Sequence, residues 1–287
     1  MAKATARRPP QRPPAAGPLL LDRSRLPHWM RSDAYILSAY RIPQNSFRAC
    51  CRSLFYLHNE TVNIWSHLSV GTVFLALAAR LALLPAAATV RAEDRLALLT
   101  YLLGAASCCM LSASYHCINC HSERVSAYCL KLDYLGIVFN ITSTSLSSTH
   151  FGLHDQDTAL ASLYAKLLLG CGLATFWVTL DPTFDGSTAA KFRSAVFIAL
   201  CACGFAPIAH AALSPRLSLS GFAIECILGS SAFYLIGTAL YVSHFPESRW
   251  PGRFDIFGAS HQIFHVCVNV AQGIHLLGLS KLLLQRL

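Results

Sequence analysis

The chain has 287 residues, 54% of them hydrophobic and 13% charged, with a mean hydropathy of +0.45. That balance excludes an ordinary soluble domain and is typical of a multi-span helical membrane protein. The net charge of +9 comes without any nucleic-acid-binding motif, and ten of the 23 Lys and Arg lie before residue 60, so no nucleic acid is expected as a partner.

Residues 1–43 read as a basic, Pro-rich cytoplasmic tail, disordered above all over 1–27. No signal peptide is expected, since no apolar run precedes Leu19. The run RRPPQRPP suits a polyproline II ligand, although a solvated tail is the simpler reading. Residues 44–62 read as an interfacial amphipathic helix: Phe47, Cys50, Cys51, Leu54, Phe55 and His58 recur at helical spacing, with Arg48 and Arg52 elsewhere around it.

Residues 63–287 read as an all-α membrane domain of seven spans, near 64–84, 96–116, 127–149, 159–180, 193–213, 219–243 and 257–280. The basic block ahead of the first span puts the N-terminus in the cytoplasm and the C-terminus outside. The loops add little to that orientation. Arg124, Lys191, Arg249 and Arg253 fall inside, and Arg91, Arg95 and Arg216 fall outside with Asp155 and Asp157. Cys108, Cys109, Cys171, Cys201, Cys203, Cys226 and Cys267 lie in apolar runs and act as small hydrophobes.

Ionisable side chains inside such spans ask for a functional explanation. His261 and His265 are four apart, so both project from one helix face, and Ser112 and His116 have the same spacing. In the orientation above, His116, Asp133, His261 and His265 all fall in the inner half of the bilayer, on three different helices. Three imidazoles with an open position make the ligand set of catalytic zinc. Asp133 is a further ligand, a general base acting on the zinc-bound water, or a salt-bridge partner of Lys131 or Arg124. His210 and His275 read as isolated, hydrogen-bonded histidines. Glu225 reads as an interfacial residue or the lining of a cavity.

The motif Cys117-Ile-Asn-Cys120-His121 matches a c-type haem attachment pattern, but on the wrong side of the membrane. As a zinc site it lacks a fourth ligand. His154, Asp155 and Asp157 read as a solvated loop rather than a cation site.

The stretches LHNETVNIWSHL (57–68), SASYH (112–116), KLDYLGI (131–137) and GRFDIFGASHQIFHV (252–266) resemble the progestin and adipoQ receptor (PAQR) family. That family includes the adiponectin receptors, the fungal Izh proteins and the haemolysin III relatives. The resemblance covers about 220 residues. It implies that His116, His261 and His265 bind Zn2+, that Asp133 contacts it through water, and that Ser112 is the family serine one turn before the first histidine. The family also shares the cluster Glu60, Asn63 and His67, which either orders the inner-leaflet mouth or supports the zinc shell; the alternative is a plain helix start, with Asn59 or Thr61 as cap and Glu60 favouring the dipole.

Two functions follow as expectations. One is a zinc-dependent, ceramidase-like lipid amide hydrolase, with Asp133 and Ser112 as catalytic groups. The other is a non-catalytic receptor or regulator of lipid and zinc homeostasis, with structural zinc and an extracellular ligand. A zinc transporter would need ligands spread through the bilayer. The expected partners are membrane lipids, ceramide or free fatty acid among them, in the plasma membrane or an endomembrane.

Overall fold

The computed structural model describes residues 20–31, 33–83, 85, 90–184, 187–217 and 220–287. The RRPPQRPP run lies outside the described residues. Packed structure begins at Leu20, well before residue 44, so the segment from Leu20 to residue 43 does not match a disordered tail. Strand β1 (Leu20–Leu21) pairs antiparallel with β2 (Tyr40–Arg41), Leu20 facing Arg41 and Leu21 facing Tyr40. The reason is a small core that composition hides. Leu26, Ile36 and Tyr40 are buried together with Ala259, just ahead of the last helix. Asp255 fastens the segment, accepting from the Leu37 amide at 2.9 Å and the Ser38 hydroxyl at 2.5 Å.

The interfacial helix is shorter than its apolar spacing predicts. Helix α1 runs Phe47–Arg52, started by Ser46 accepting from the Ala49 amide, and a 3-10 turn follows over Ser53–Phe55. Its face divides by size. Cys50, Ser53 and His58 are buried, whereas Phe47 and Phe55 point outward, Phe55 being 85% exposed. Burial, with Arg41 adding to it, holds the His58 imidazole down at about 4. The neutral ring accepts from the Glu60 amide at Nδ1 and donates to the Ser53 carbonyl at Nε2.

Seven long helices follow: α2 (Thr61–Ala82), α3 (Ala92–Ile118), α4 (Glu123–Leu153), α5 (Thr158–Leu180), α6 (Ser187–Leu213), α7 (Gly221–Ser243) and α8 (Ser260–Leu284). They match the seven expected spans with shifts at the ends. Six are long and apolar enough to cross a bilayer. The other, α4, is the longest at 31 residues but is diluted by serine and threonine. It packs against α3, α5, α6 and α8, and Ser143, Ser145, Ser147, Ser148 and Thr149 are buried. The least apolar helix thus lies inside, where neighbouring helices and not lipid meet its hydroxyls.

Small residues set how closely α3 and α4 approach. A Cβ on Gly136 would stand 3.0 Å from the Cys108 Cα, and one on Gly104 would overlap Ser143. At the end of the bundle far from α1, the buried Asp94 carboxylate ties three elements together. It accepts from Arg91, from His150 at 2.6 Å and from Arg286, whose guanidinium also reaches Asp155 and the Phe151 carbonyl. Arg91 grips Asp155 with two bonds of 3.0 Å and holds its carboxyl below the usual range. Asp155 is therefore an ion-pair partner and Asp157 caps α5 through the Leu160 amide, so neither is part of a free cation site.

Gly136→Ala should lower stability by roughly 1–3 kcal/mol, because backbone cannot yield as a side chain does. Gly170→Ala, whose Cβ would meet nothing within 4 Å, should leave stability unchanged or raise it by up to about 1 kcal/mol. Thermal unfolding of both variants in detergent micelles checks this.

Candidate metal centre

His116, His261 and His265 meet at the α1 end of the bundle. His116 is brought in by the last turns of α3, and the other two by the first two turns of α8. One nitrogen from each ring lies within 4.8 Å of the other two. His116 Nε2 and His261 Nε2 are 3.2 Å apart. Two nitrogens at about 2.0–2.1 Å from a tetrahedral ion stand roughly 3.3 Å apart, so the spacing fits one.

The tautomers fit too. His116 Nδ1 donates to Glu60 Oε2 at 2.7 Å, and His265 Nδ1 donates to the Asn63 carbonyl at 3.2 Å. Each bond fixes the proton on Nδ1 and leaves Nε2 as a lone-pair donor. With His116 Nε2 unprotonated, the 3.2 Å contact to His261 Nε2 is closed either by a proton on His261 or by a cation between the two nitrogens. The donor set therefore suits a metal ion.

Glu60 is the hub of the support. Its Oε2 also accepts from Asn63 Nδ2 at 2.7 Å and its Oε1 from Asn119 Nδ2 at 3.2 Å. Burial pushes the Glu60 carboxyl up, but His116, Arg41 and Asn63 outweigh it and hold the group ionised, below the usual carboxylate range. Below Glu60, Arg41 is 1% exposed and donates to the His116 and Cys117 carbonyls, the Asn119 side chain and Ser53 Oγ. These bonds satisfy carbonyls that the end of α3 leaves open.

Ser112 is buried one turn before His116. It hydrogen-bonds Asp133 of α4, whose carboxyl lies within electrostatic reach of His116 and Glu60. Asp133 is not one of the atoms gathered within 4.8 Å. It stands next to the triad rather than in it. Lys131 points elsewhere, donating to the Leu180 carbonyl at the end of α5. His261 is half-buried while His116 and His265 are buried, so His261 lies nearest the surface of the three. Tyr241 and Phe264 pack around it, the Tyr241 ring 5.0 Å and the Phe264 ring 6.1 Å from the His261 ring.

His275 and His210 have other partners. His275 meets Ser148 Oγ at 3.0 Å and His210 meets Tyr164 Oη at 2.8 Å. Among the described residues, Cys117, Cys120 and His121 are not gathered as a metal group. Two contributors escape a sequence reading. Arg41 looks like one more basic residue of the tail, and Asn119 sits in an unremarked turn. His67, buried with its ring stacked at 3.6 Å on His265, has no hydrogen-bond partner at either ring nitrogen. Neither has Asn63 Oδ1. These open polar atoms line the protein side of the centre.

Seven long helices and a buried three-histidine centre at one end define a class, the multi-span membrane protein with a built-in metal-type site. Within that class the match is specific. The haemolysin-III-related family model covers residues 55–276, and the chain belongs to that family, which takes in the PAQR proteins. It is a multi-pass integral membrane protein. ADIPOR-like receptor IZH2 of Saccharomyces cerevisiae is 34% identical over 258 residues, 88% of this chain and 81% of the yeast protein. The adiponectin receptor protein of Drosophila melanogaster is 29% identical, and progestin and adipoQ receptor-like protein 1 of Caenorhabditis elegans is 30% identical, each over 91% of this chain. The chain spans 59% of the fly protein and 60% of the nematode protein.

Glu60→Gln keeps the shape of the support but removes the charge that orients His116. It should weaken metal affinity about 10–100-fold. Competition with a graded series of chelators, with metal content read by mass spectrometry, checks this.

Proposed function

We propose that the chain is a zinc-dependent hydrolase of membrane lipid amides, ceramidase-like in substrate. The observation that carries this reading is the convergence of three imidazole nitrogens with no fourth protein ligand gathered among the described residues, and a carboxylate nearby. Structural zinc sites are usually closed by four protein ligands. His116, His261 and His265 would hold the ion, which when bound supplies Lewis acidity and a water of lowered pKa.

The protein groups divide the remaining work. Glu60 and the Asn63 carbonyl keep the imidazoles in the ligating tautomer. Asp133 is the proton acceptor, and later returns a proton to the leaving amine. Ser112 keeps the Asp133 carboxylate aimed at the centre. Tyr241 and Phe264 form an apolar wall beside His261, against which hydrocarbon chains pack while the amide reaches the histidines. A substrate with two such chains arrives from within the bilayer.

The same reading carries the orientation. The basic N-terminal segment folds over the bundle end that holds the centre, and by the positive-inside rule that end faces the cytoplasm. A second reading, a receptor with structural metal, is favoured by the names of the yeast and fly relatives, both called receptors. In it the ion ties α3 to α8 and no lipid turns over.

Purified protein should release fatty acid and sphingoid base from a short-chain ceramide, and lose this activity on chelation and in His265→Ala. Asp133→Asn should keep the metal and lower turnover about 10²–10⁴-fold. Turnover that survives chelation and His265→Ala would sink the hydrolase reading. A bundle that loosens on chelation with no turnover in any state would favour the receptor.

A further inference from the structure

Four cysteines meet where α1 touches the end of α3, and the metal centre uses none of them. Cys50 and Cys51 lie on α1, Cys117 is near the last residue of α3, and Cys120 follows in the turn. Cys50 Sγ and Cys120 Sγ are 3.6 Å apart, and both residues are 0% exposed. Cys117 turns away, its Sγ 3.8 Å from the Cys50 carbonyl, and Cys51 beside it is exposed.

The backbones that carry the close pair are already held in register. The Gln44 amide donates to the Cys120 carbonyl at 2.8 Å, and the Asn45 amide to the His121 carbonyl at 2.9 Å. A disulfide needs the sulfurs at about 2.05 Å. The remaining approach of about 1.5 Å is of the size that side-chain rotation supplies. The neighbourhood favours a reactive sulfur as well. The hydrogen bond from Cys50 holds the Cys120 thiol below its ordinary value against the effect of burial, and the Arg41 charge adds to it. The mate, Cys50, is correspondingly pushed up.

We propose that Cys50 and Cys120 are a reversible redox pair, closing a disulfide that fastens α1 to the end of α3 when a hydroperoxide is the oxidant. The Cys120 thiolate attacks the peroxide oxygen, forming a sulfenic acid and releasing hydroxide in the case of hydrogen peroxide. The Cys50 sulfur then displaces that oxygen as a second hydroxide and gives up its proton. In sum, two thiols and one hydrogen peroxide become one disulfide and two waters. A dithiol reductant reverses the reaction by exchange. A small oxidant suits a pair with no exposed surface.

The location gives the bond something to act on. Ser53, one turn after Cys50, donates its hydroxyl proton to the Cys50 carbonyl and receives Arg41 Nη1, and Arg41 in turn holds the His116 carbonyl. Closing the disulfide fixes this chain of contacts from both ends. The pair works independently of zinc and of hydrolysis.

The test uses the full-length protein in detergent micelles, treated with graded hydrogen peroxide under native conditions, alkylated, digested and mapped by mass spectrometry. The expected result is a cross-link between the peptides carrying Cys50 and Cys120, a loss of two free thiols, a rise in melting temperature, and full reversal by dithiothreitol. Cys50→Ser and Cys120→Ser should each abolish the cross-link, and Cys51→Ser should retain it. The wild-type map decides the matter even if a variant fails to fold. A cross-link only between Cys51 and Cys117, or only between the membrane-embedded neighbours Cys171 and Cys203, overturns the proposal. So does over-oxidation of Cys120 with no cross-link.

Discussion

Inside hydrocarbon a hydrogen-bonding side chain has no water to turn to, so it must find its partner within the bundle. That constraint organises this protein from end to end. It sends serines and threonines of α4 inward, where Ser143, Ser147, Ser148 and Thr149 bond to carbonyls of their own or neighbouring helices, Ser147 to Ala97 at 2.6 Å. It gathers Arg91, Asp94, His150 and Arg286 into one network at one end of the bundle. At the other end it gathers three histidines, a glutamate and two asparagines around a single point. The apolar residues left over, such as Leu163, Leu173 and Trp177 of α5, face outward.

The two polar ends differ in kind. At the Asp94 end the charges nearly cancel among themselves, and the hydrogen-bond partners are protein atoms. That is a fastening. At the histidine end the supports leave Nε2 of His116 and of His265 unprotonated, and His67 and Asn63 keep polar atoms without partners. An arrangement with unspent donors and acceptors in a buried place is costly unless something else completes it. This difference, rather than the number of histidines, separates a candidate functional centre from a structural tie.

The N-terminal segment proves to be part of the centre's foundation. Glu60 stands at the start of α2, yet its carboxylate orients a histidine at the far end of α3. Arg41, from β2, closes the open carbonyls beneath that same histidine. A tail that looked like a cytoplasmic appendage supplies a guanidinium nearly without exposed surface. Composition could not show this. Arg41 is one of many arginines in a basic stretch, and what distinguishes it is which carbonyls it meets.

Much of the protein was legible from residue order. Runs of about twenty apolar residues have one stable solution in a bilayer, the helix, so seven spans could be read directly. The i, i+4 spacing of His261 and His265 put both on one face, and the cost of ionisable groups in hydrocarbon marked His116 and Asp133 as their partners. Helix ends were less legible, because capping and lipid depth, not apolarity, decide them. What only the tertiary structure decided is anything that depends on two distant segments meeting: the ordered fold of residues 20–43 beneath the bundle, Glu60 on His116, Asp133 beside the triad rather than within it, and Cys50 against Cys120. Local periodicity follows from the geometry of one helix, whereas these contacts follow from how helices pack. Packing is set by small residues such as Gly104 and Gly136, whose role shows only once a neighbour lies against them.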